Sequence, residues 1–422
     1  MILAKYLVEK NGPLRGEVAI SGAKNAVLPI LAATILAEGP CEILEVPALR
    51  DVDVMCRLLR GVGFHVEEYY EEGRILVEPR KLTTDEVPRD LVKKMRASFL
   101  AMGPLLAKAG QAMVAAPGGC TIGARPIDLH LKGFRALGAT VDDGGDPISA
   151  RADKLTAGKV YLDFPSVGAT ENIMMAATLA EGVTVIENAA EEPEIVDLAN
   201  FLNKMGAKIK GAGTDTVRIE GVQALHGAKH AVIPDRIETG TFMVAAAITR
   251  GDVLIKNALP DHVKAVTAKL MECGVTVEDL EEGIRVRGDR GPLASTDIKT
   301  MPYPGFPTDM QSQFMALMTT VKGTSVIVEK VFENRYMHIG ELNRMGAGIR
   351  IEGNNAVIPG EQRLHGAQVI ATDLRAGAAL VLAGLRAEGV TEVSEIYHIE
   401  RGYADFIGKL QALGAKITKV ED

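Results

Sequence analysis

Runs of small and apolar residues recur along the chain, and each run is followed by a glycine-bearing turn and a stretch of β-branched residues. The clearest copies begin at Gly22 (GAKNAVLPILAATILAEGPCEILEV), Gly168 (GATENIMMAATLAEGVTVIENA), Glu238 (ETGTFMVAAAITRGDVLIKNA) and Leu374 (LRAGAALVLAGLRAEGVTEVSEI), and weaker copies begin near Arg96 and Asp309. Each copy predicts a helix that leads into a strand. Counted as repeats of one supersecondary block, the copies make six units spaced by roughly 70 residues.

The first helix of several units is apolar nearly all round, as in IMMAATLA and FMVAAAI, and such a helix has to be buried on every side. The strands must then form the outer wall. A second helix follows most copies and ends at a glycine, in RALGATV, NKMGAKI, MECGVTV, NRMGAGI and QALGAKI. The pattern predicts an α/β fold of two domains, each an inside-out barrel of three repeated β/α units with buried helices enclosed by sheets. The segment ALHGAKHAVIPDR recurs as RLHGAQVIATDLR, which places a unit junction near Ile233–Asp235.

Composition narrows the classes of protein. The 422 residues are 47% hydrophobic and 24% charged, which suits two sizeable cores and argues against disorder. The net charge is −8 and the basic residues are scattered among acidic ones, which argues against nucleic-acid binding. The N-terminal segment MILAKYLVEKNGPLRGEV has no long apolar core, so we expect no signal peptide, no membrane anchor and a cytoplasmic location. Nothing in the sequence determines the oligomeric state.

Cysteine and histidine spacings do not predict a metal site. Cys41, Cys56 and Cys273 lie in strand or helix patterns and are expected in the core, and the sequence has no C-x-x-C pair. His226 and His230 have the i, i+4 spacing of a ligand pair, but only the first recurs in the later copy and no third ligand is spaced nearby. We therefore expect no bound metal.

Lys24 and Asn25, in the segment SGAKNAVLP, are the first candidates for a substrate site. They lie at a predicted helix N-terminus just after Gly22. Free N–H groups and the helix dipole attract anions there, and a lysine adds a full charge. The alternative is a solvated lysine beside an ordinary helix cap.

The segment PGGCTIGARPIDLHL places Cys120 in a glycine-rich loop, between an apolar strand (QAMVAAP) and a helix from Asp128 onward. A cysteine is usually a small core residue, but a glycine-flanked loop is a poor place to bury one. Arg125 lies five positions further on, so the thiol would meet positive potential and become more acidic. A reactive group on such a loop is typical of a lid that closes over substrate.

Asp309 follows a proline-rich turn in YPGFPTDMQSQFMA and opens a predicted helix. It is a candidate general base, and it is also a candidate N-cap; the sequence does not separate the two. Arginines recur at unit edges, where a planar guanidinium suits bidentate binding of carboxylate or phosphate. These arginines are Arg96, Arg335, Arg375 and Arg401. Singly, each is a candidate surface ion pair. Together with Lys24 and Arg125 they would form an anion cleft between two domains.

These motifs resemble one family. GAKNAVLP, RASFLAMGPLLA, PGGCTIGARPIDLH, FPTDMQSQF, FENRYMH, ATDLRAG and YHIERGY closely resemble the UDP-N-acetylglucosamine 1-carboxyvinyltransferases, enolpyruvyl transferases that catalyse the first committed step of peptidoglycan synthesis. The similarity runs in order over nearly the whole chain, and the motif around Cys120 is highly specific. The related synthase of the shikimate pathway shares the six-unit architecture but lacks this cysteine loop.

The resemblance implies a domain of residues 21–233 that carries the Cys120 loop, a second domain of residues 1–20 plus 234–422, and an active site between them. It implies two small-molecule substrates, phosphoenolpyruvate and UDP-N-acetylglucosamine, and no cofactor. It implies contacts with phosphoenolpyruvate for Lys24, Asn25, Arg125, Arg335, Arg375 and Arg401. It implies contacts with UDP-N-acetylglucosamine for Asn25, Arg96, Arg125, Pro126, Ile127, Asp128, Leu129, Pro165, Ser166, Val167, Asp309 and Val331. Many relatives carry lysine where this chain has Phe164, and an aromatic residue where it has Leu100.

The resemblance also implies catalytic roles for Cys120, Asp309, Lys24 and Arg401. Asp309 would take the proton from the 3-hydroxyl of the sugar, and Cys120, as a neutral thiol, would deliver a proton to C3 of phosphoenolpyruvate. Cys120 would in addition form a covalent adduct and be alkylated by fosfomycin. Two alternatives stay open: an idle UDP-sugar-binding regulatory paralogue, against which these intact residues argue, and an RNA-end-processing enzyme, against which the net charge argues.

Overall fold

A computed structural model describes residues 4–116 and 127–421. Contacts between Cα atoms divide these residues into two compact units. We call residues 22–116 and 127–233 the N-terminal unit, and residues 4–21 and 234–421 the C-terminal unit. The two units meet between Ser21 and Gly22 and between Ile233 and Pro234.

Short strands occur along the whole described chain. They are β1 Ala4–Glu9, β2 Arg15–Ala19, β3 Cys41–Leu44, β4 His65–Tyr69, β5 Arg74–Glu78, β6 Gln111–Val114, β7 Thr140–Asp142, β8 Ile148–Arg151, β9 Lys159–Tyr161, β10 Val183–Glu187, β11 Lys208–Lys210, β12 Thr216–Glu220, β13 Lys229–Ala231, β14 Asp252–Lys256, β15 Thr276–Leu280, β16 Gly283–Arg287, β17 Ile298–Lys299, β18 Thr324–Val328, β19 Arg350–Glu352, β20 Asn355–Pro359, β21 Gln368–Ile370, β22 Val390–Ser394 and β23 Ile417–Glu421.

Helices alternate with groups of these strands. They are α1 Lys24–Ala33, α2 Arg50–Val62, α3 Arg89–Lys94, α4 Met102–Ala109, α5 Asp128–Ala136, α6 Val167–Ala177, α7 Pro193–Lys204, α8 Arg236–Ile248, α9 Lys264–Glu272, α10 Gln311–Met318, α11 His338–Arg344, α12 Leu374–Gly384, α13 Tyr397–Glu400 and α14 Phe406–Ala412. None of the helices in the described ranges has the length and apolar character needed to cross a bilayer.

The strands of the described residues form six sheets, three in each unit. The N-terminal unit has the strand orders β13-β3-β5-β4, β6-β8-β7 and β11-β12-β10-β9, and the C-terminal unit has β15-β16-β14-β2, β17-β18-β20-β19 and β21-β22-β1-β23. In five of the six sheets, one edge strand runs parallel to its neighbour and the other two strands follow antiparallel. In the β6-β8-β7 sheet, an isolated parallel bridge between Glu86 and Met113 lies next to β6 instead. The six sheets are therefore copies of one supersecondary block, as the sequence repeats predict.

The first helix of each repeat is buried because it carries few charged side chains. Every residue of α10 is buried, and α8 has only Arg236 outside the buried class. In the C-terminal unit α8, α10 and α12 contact one another, and in the N-terminal unit α6 contacts both α1 and α4. Strands such as β10 and β22 alternate buried and more exposed positions and pack against α6 and α12. The predicted α/β fold, with three repeated units and buried helices in each domain, is confirmed.

The second helix of each repeat ends at a glycine whose backbone has a positive φ. An L side chain adopts this left-handed conformation only with strain. The five glycines predicted as helix ends are Gly138 (φ 85°), Gly206 (φ 103°), Gly274 (φ 93°), Gly346 (φ 91°) and Gly414 (φ 97°). A sixth, Gly63 with φ 114°, follows α2. The sequence pattern missed it because Phe64 takes the place of the usual alanine or valine. The weaker repeats near Arg96 and Asp309 differ in another way, since each begins with a 3-10 turn, Arg96–Ala101 or Thr308–Met310.

Candidate active site

Asp309 lies in the 3-10 turn directly before α10, and its carboxylate is bound by two arginines. Arg335 Nη2 donates to Oδ1 at 2.7 Å, and Arg375 donates to Oδ2 from Nε at 3.3 Å and from Nη2 at 3.2 Å. The N-cap residues are Pro307 for the turn and Met310 for α10, so the N-cap alternative is wrong. Both arginine side chains are buried, at 6% and 2% exposure, whereas that of Asp309 stays 25% exposed. The formal charges of the three side chains sum to +1.

Arg375 is the second residue of the buried helix α12. The Asp373 side chain caps this helix by accepting hydrogen bonds from the N–H groups of Arg375 and Ala376. The guanidinium lies 5.1 Å from the centre of the Tyr403 ring. Burial works against its positive charge, but Tyr403, Asp309 and Asp235 outweigh burial and raise the pKa of Arg375 above its usual value. Arg375 is thus a fixed cation at the Asp309 carboxylate.

Arg335 and Val331 lie in the segment that follows β18. Arg335 Nη1 donates to the Thr308 hydroxyl at 2.9 Å, and its carbonyl accepts from Gln311 Nε2 at 3.1 Å, so the residue contacts the turn and the first residue of α10. The Val331 N–H donates to the buried carboxylate of Glu329 at 2.8 Å. Arg401 directly follows α13, two residues before Tyr403. The structure therefore brings Asp309, Arg335 and Arg375 into direct contact and places Arg401 in the same unit.

In the N-terminal unit, Lys24 is the first residue of α1. Its ammonium group lies 2.9 Å from Asp51 Oδ2, and the two side chains are 10% and 4% exposed. Gly22, two residues earlier, approaches a neighbouring loop so closely that a Cβ there would lie 1.8 Å from the Glu45 carbonyl oxygen. Asn25 follows Lys24 and is half-buried. The sequence did not predict that Asp51 binds Lys24. The signal that was present is the position of Asp51 as an acidic residue in the first turn of α2.

Arg96 begins the second repeat of this unit, and its charge acts on His130 of α5, which is half-buried. Burial, followed by the charge of Arg96, lowers the pKa of His130 to about 3. His130 Nδ1 lies 3.1 Å from the Asn172 amide, which also donates to the Phe99 carbonyl at 3.0 Å. The helix α5, which carries His130, also places three of the predicted sugar-nucleotide residues. Ile127 is its N-cap, and Asp128 and Leu129 are its first two residues.

The predicted sugar-nucleotide segment Pro165–Val167 lies at the start of α6. Ser166 is the N-cap, and its hydroxyl accepts from the Ala169 N–H at 3.4 Å. Phe164, where many relatives have lysine, is exposed, and Leu100 is buried in the 3-10 turn.

Cys120, Arg125 and Pro126 lie outside the described residues. The other three cysteines are buried thiols, as predicted, and burial raises the pKa of Cys273 to about 12. Of the histidine pair, His230 is buried with its ring nitrogens next to Asp197 Oδ1 at 2.8 Å and Lys204 Nζ at 3.2 Å.

Comparison with known proteins identifies the family of this chain. The family EPSP synthase (3-phosphoshikimate 1-carboxyvinyltransferase) matches residues 8–410. The chain belongs to this family. Among its relatives, UDP-N-acetylglucosamine 1-carboxyvinyltransferase 1 of Caldanaerobacter subterraneus subsp. tengcongensis is 63% identical over 98% of this chain and 99% of its own. UDP-N-acetylglucosamine 1-carboxyvinyltransferase 2 of Carboxydothermus hydrogenoformans is 58% identical over 100% of both chains.

Solved structures of the family have the same fold. The enolpyruvyl transferase NikO from Streptomyces tendae matches with a TM-score of 0.88 at 25% identity, over 100% of both chains. An EPSP synthase from Acinetobacter baumannii matches with a TM-score of 0.78 at 19% identity, over 99% of this chain and 100% of its own. The two-domain α/β fold is therefore that of the enolpyruvyl transferases.

Proposed function

We propose that this enzyme transfers the enolpyruvyl group of phosphoenolpyruvate to the 3-hydroxyl of UDP-N-acetylglucosamine and releases phosphate, as the first committed step of peptidoglycan synthesis. The observation that carries the proposal is the Asp309 carboxylate, which two buried arginines hold while part of its side chain stays exposed. Relatives named for this reaction match the full chain at 54–63% identity, which favours this acceptor over shikimate 3-phosphate.

In the proposed reaction, Asp309 takes the proton of the sugar 3-hydroxyl as that oxygen attacks C2 of phosphoenolpyruvate. Cys120 delivers a proton to C3, which gives a tetrahedral intermediate that still carries the phosphate. Loss of a C3 proton and cleavage of the C2–O bond to phosphate then give the enolpyruvyl ether. Acid–base catalysis of this kind contributes about two to four powers of ten in rate.

The cationic residues have the task of stabilising the carboxylate and phosphate of phosphoenolpyruvate. We assign Lys24, Asn25, Arg125 and Arg401 to direct contact with this substrate. The contacts of Arg335 and Arg375 with Asp309 support an additional task for these two residues, because they fix the orientation of the base.

The proposal also assigns a set of residues to UDP-N-acetylglucosamine. The set consists of Asn25, Arg96, Arg125–Leu129, Pro165–Val167, Asp309 and Val331. Among the described residues of this set, several lie in the first turn or at the N-cap of α5 and α6. Free backbone N–H groups at these helix ends favour binding of the anionic diphosphate of UDP-N-acetylglucosamine. The proposal includes a cytoplasmic location, a role in cell shape and division through the cell wall, and alkylation of Cys120 by fosfomycin.

Phosphate release from phosphoenolpyruvate, measured with and without UDP-N-acetylglucosamine, tests the proposal. We expect release only when both substrates are present, and none when shikimate 3-phosphate replaces the nucleotide sugar. Binding of UDP-N-acetylglucosamine without phosphate release would contradict the proposal and favour the idle paralogue. Salt-sensitive binding of RNA would favour the RNA-processing alternative.

A further inference from the structure

The Glu329 side chain lies at the end of β18, is 4% exposed, and joins three segments of the C-terminal unit. Its Oε1 accepts from the Thr300 hydroxyl at 2.8 Å and from the N–H groups of Val331 at 2.8 Å and Phe332 at 3.2 Å. Its Oε2 accepts from the Thr308 hydroxyl at 3.0 Å. The segment after β17, the turn before α10 and the turn after β18 therefore share one buried carboxylate.

Thr308 carries this connection to Asp309. Its hydroxyl has one proton, which it donates to Glu329, so its lone pairs face the Arg335 Nη1 group that donates to it at 2.9 Å. The other terminal nitrogen of Arg335 donates to Asp309 Oδ1 at 2.7 Å. In the chain Glu329–Thr308–Arg335–Asp309, Arg335 thus donates to both of its neighbours and Thr308 donates to Glu329, so the two carboxylates at the ends act only as acceptors.

We propose that Glu329 and Thr308 are positioning residues, which orient Arg335 and through it the Asp309 carboxylate. The inference rests on the function proposed above, in which Asp309 is the base. A carboxylate that accepts four hydrogen bonds has no donor of its own, and this property sets the direction of the Thr308 hydroxyl. The hydroxyl direction in turn decides whether Thr308 can accept from Arg335.

Glu329→Gln tests this direction at nearly unchanged volume. An amide NH₂ at the Oε2 position would face the Thr308 hydroxyl, whose proton would lose the carboxylate oxygen that accepts it. An amide NH₂ at the Oε1 position would instead face the two backbone N–H groups and the Thr300 hydroxyl. In either orientation a buried donor meets a donor, so we expect the bond from Arg335 to Thr308, or the turn at Val331, to be lost.

The experiment measures kcat and KM for both substrates in Glu329→Gln, Thr308→Val and the double variant. Because hydrogen bonds to charged groups are involved, we expect kcat to fall about ten- to a hundredfold in each single variant. The effects should not be additive, since both changes break the same chain of bonds. Thr308→Ser, which keeps the hydroxyl, should restore kcat to within about threefold of the wild type.

Two control variants match these changes elsewhere in the same unit. Glu341→Gln alters a buried carboxylate that accepts the Ile370 N–H at 3.0 Å, and Thr320→Val removes a hydroxyl that donates to the Leu317 carbonyl at 2.8 Å. We expect wild-type kcat in both. Folded Glu329→Gln and Thr308→Val proteins with wild-type kcat would overturn the proposal, as would additive losses in the double variant.

Crystal structures of the wild type and of Thr308→Val separate this proposal from the function on which it rests. If the wild type releases no phosphate, the proposed function fails, and the structures still decide the positioning role. We expect the Arg335 guanidinium to turn away from Asp309 Oδ1 when the Thr308 hydroxyl is absent. An unchanged contact between Arg335 and Asp309 in this variant would overturn the positioning role, whatever the activity.

Discussion

The two units hold their candidate site charges in opposite ways. In the C-terminal unit two buried arginines bind an acid, Asp309, through both of its oxygens. In the N-terminal unit a buried acid, Asp51, binds a lysine, Lys24. A planar guanidinium group fixes the orientation of the carboxylate that it binds, whereas an ammonium group donates hydrogen bonds in several directions. We therefore propose that the base is held in one direction, whereas Lys24 exchanges its acid for an anionic substrate.

The largest effect is expected from Asp309→Ala. Turnover should fall about a hundredfold to ten-thousandfold because the base is lost. Stability should fall by about 3 kcal/mol because two buried cations lose their carboxylate. Phosphate release measures the first effect and urea unfolding the second, while calorimetry should still detect binding of UDP-N-acetylglucosamine. The exposed Asp279 of β15 provides a control, since its replacement by alanine should leave both quantities unchanged. A near-normal kcat in Asp309→Ala would exclude Asp309 as the base.

Asp51→Asn sharpens the comparison from the other side. The variant keeps the shape of the side chain but removes the charge that balances Lys24, so we expect a loss of about 2 kcal/mol in stability. Phosphoenolpyruvate should then raise the melting temperature more in the variant than in the wild type, because a bound anion replaces the missing charge. Thermal unfolding with and without phosphoenolpyruvate measures this. Equal shifts in the two proteins would argue against exchange of partners at Lys24.

Acid should destabilise both units through two histidines beside site arginines, His130 and His338. Burial and Arg96 lower the pKa of His130 to about 3, and burial lowers that of His338 to about 4, with Asp373 opposing and Arg335 adding to this shift. The unfolded chain takes up these protons near pH 6.5, and the folded chain does so only near pH 3 to 4. The stability that these two histidines contribute is therefore complete above pH 6.5 and is lost as the pH drops through this window.

Urea midpoints at pH 7 and pH 5 measure this loss in the wild type and in His130→Asn/His338→Asn. We expect a smaller decrease in the double variant, because it lacks the two groups that gain protons on unfolding. His226→Asn, a change at an exposed histidine, is the matched control and should behave like the wild type. An equal decrease in all three proteins would show that other groups dominate the acid response.

The smallest change in turnover is expected from Cys120→Asp. A carboxylic acid also donates a proton, so kcat should stay within about tenfold of the wild type. A carboxylate is a poor nucleophile towards an epoxide, so inactivation by fosfomycin should be lost. Time-dependent loss of phosphate release under fosfomycin measures the second effect. A variant that remained sensitive would contradict the assignment of Cys120 as the alkylated residue.

The fold was predictable because its main signal is local. Helices such as α8 contain long runs of small and apolar residues, which predict burial from the sequence alone. Six repeats of helix and strand then give the two-domain architecture. Asp309 and the arginines were found by residue type and by resemblance. Their partners were not, since Asp51 and Glu329 look like ordinary surface acids until folding buries them. Burial of a charged residue depends on segments distant in the chain, which no local pattern contains.

The pairing of β1 with both β22 and β23 has a consequence for the order of folding. Ala4 lies opposite Glu421, so β1 waits for partners that are translated after the whole N-terminal unit. The N-terminal unit lies between these segments and can assemble its sheets while translation continues. Until then β1 has no sheet to join, and a nascent edge of this kind is a target for aggregation that chaperones would have to shield.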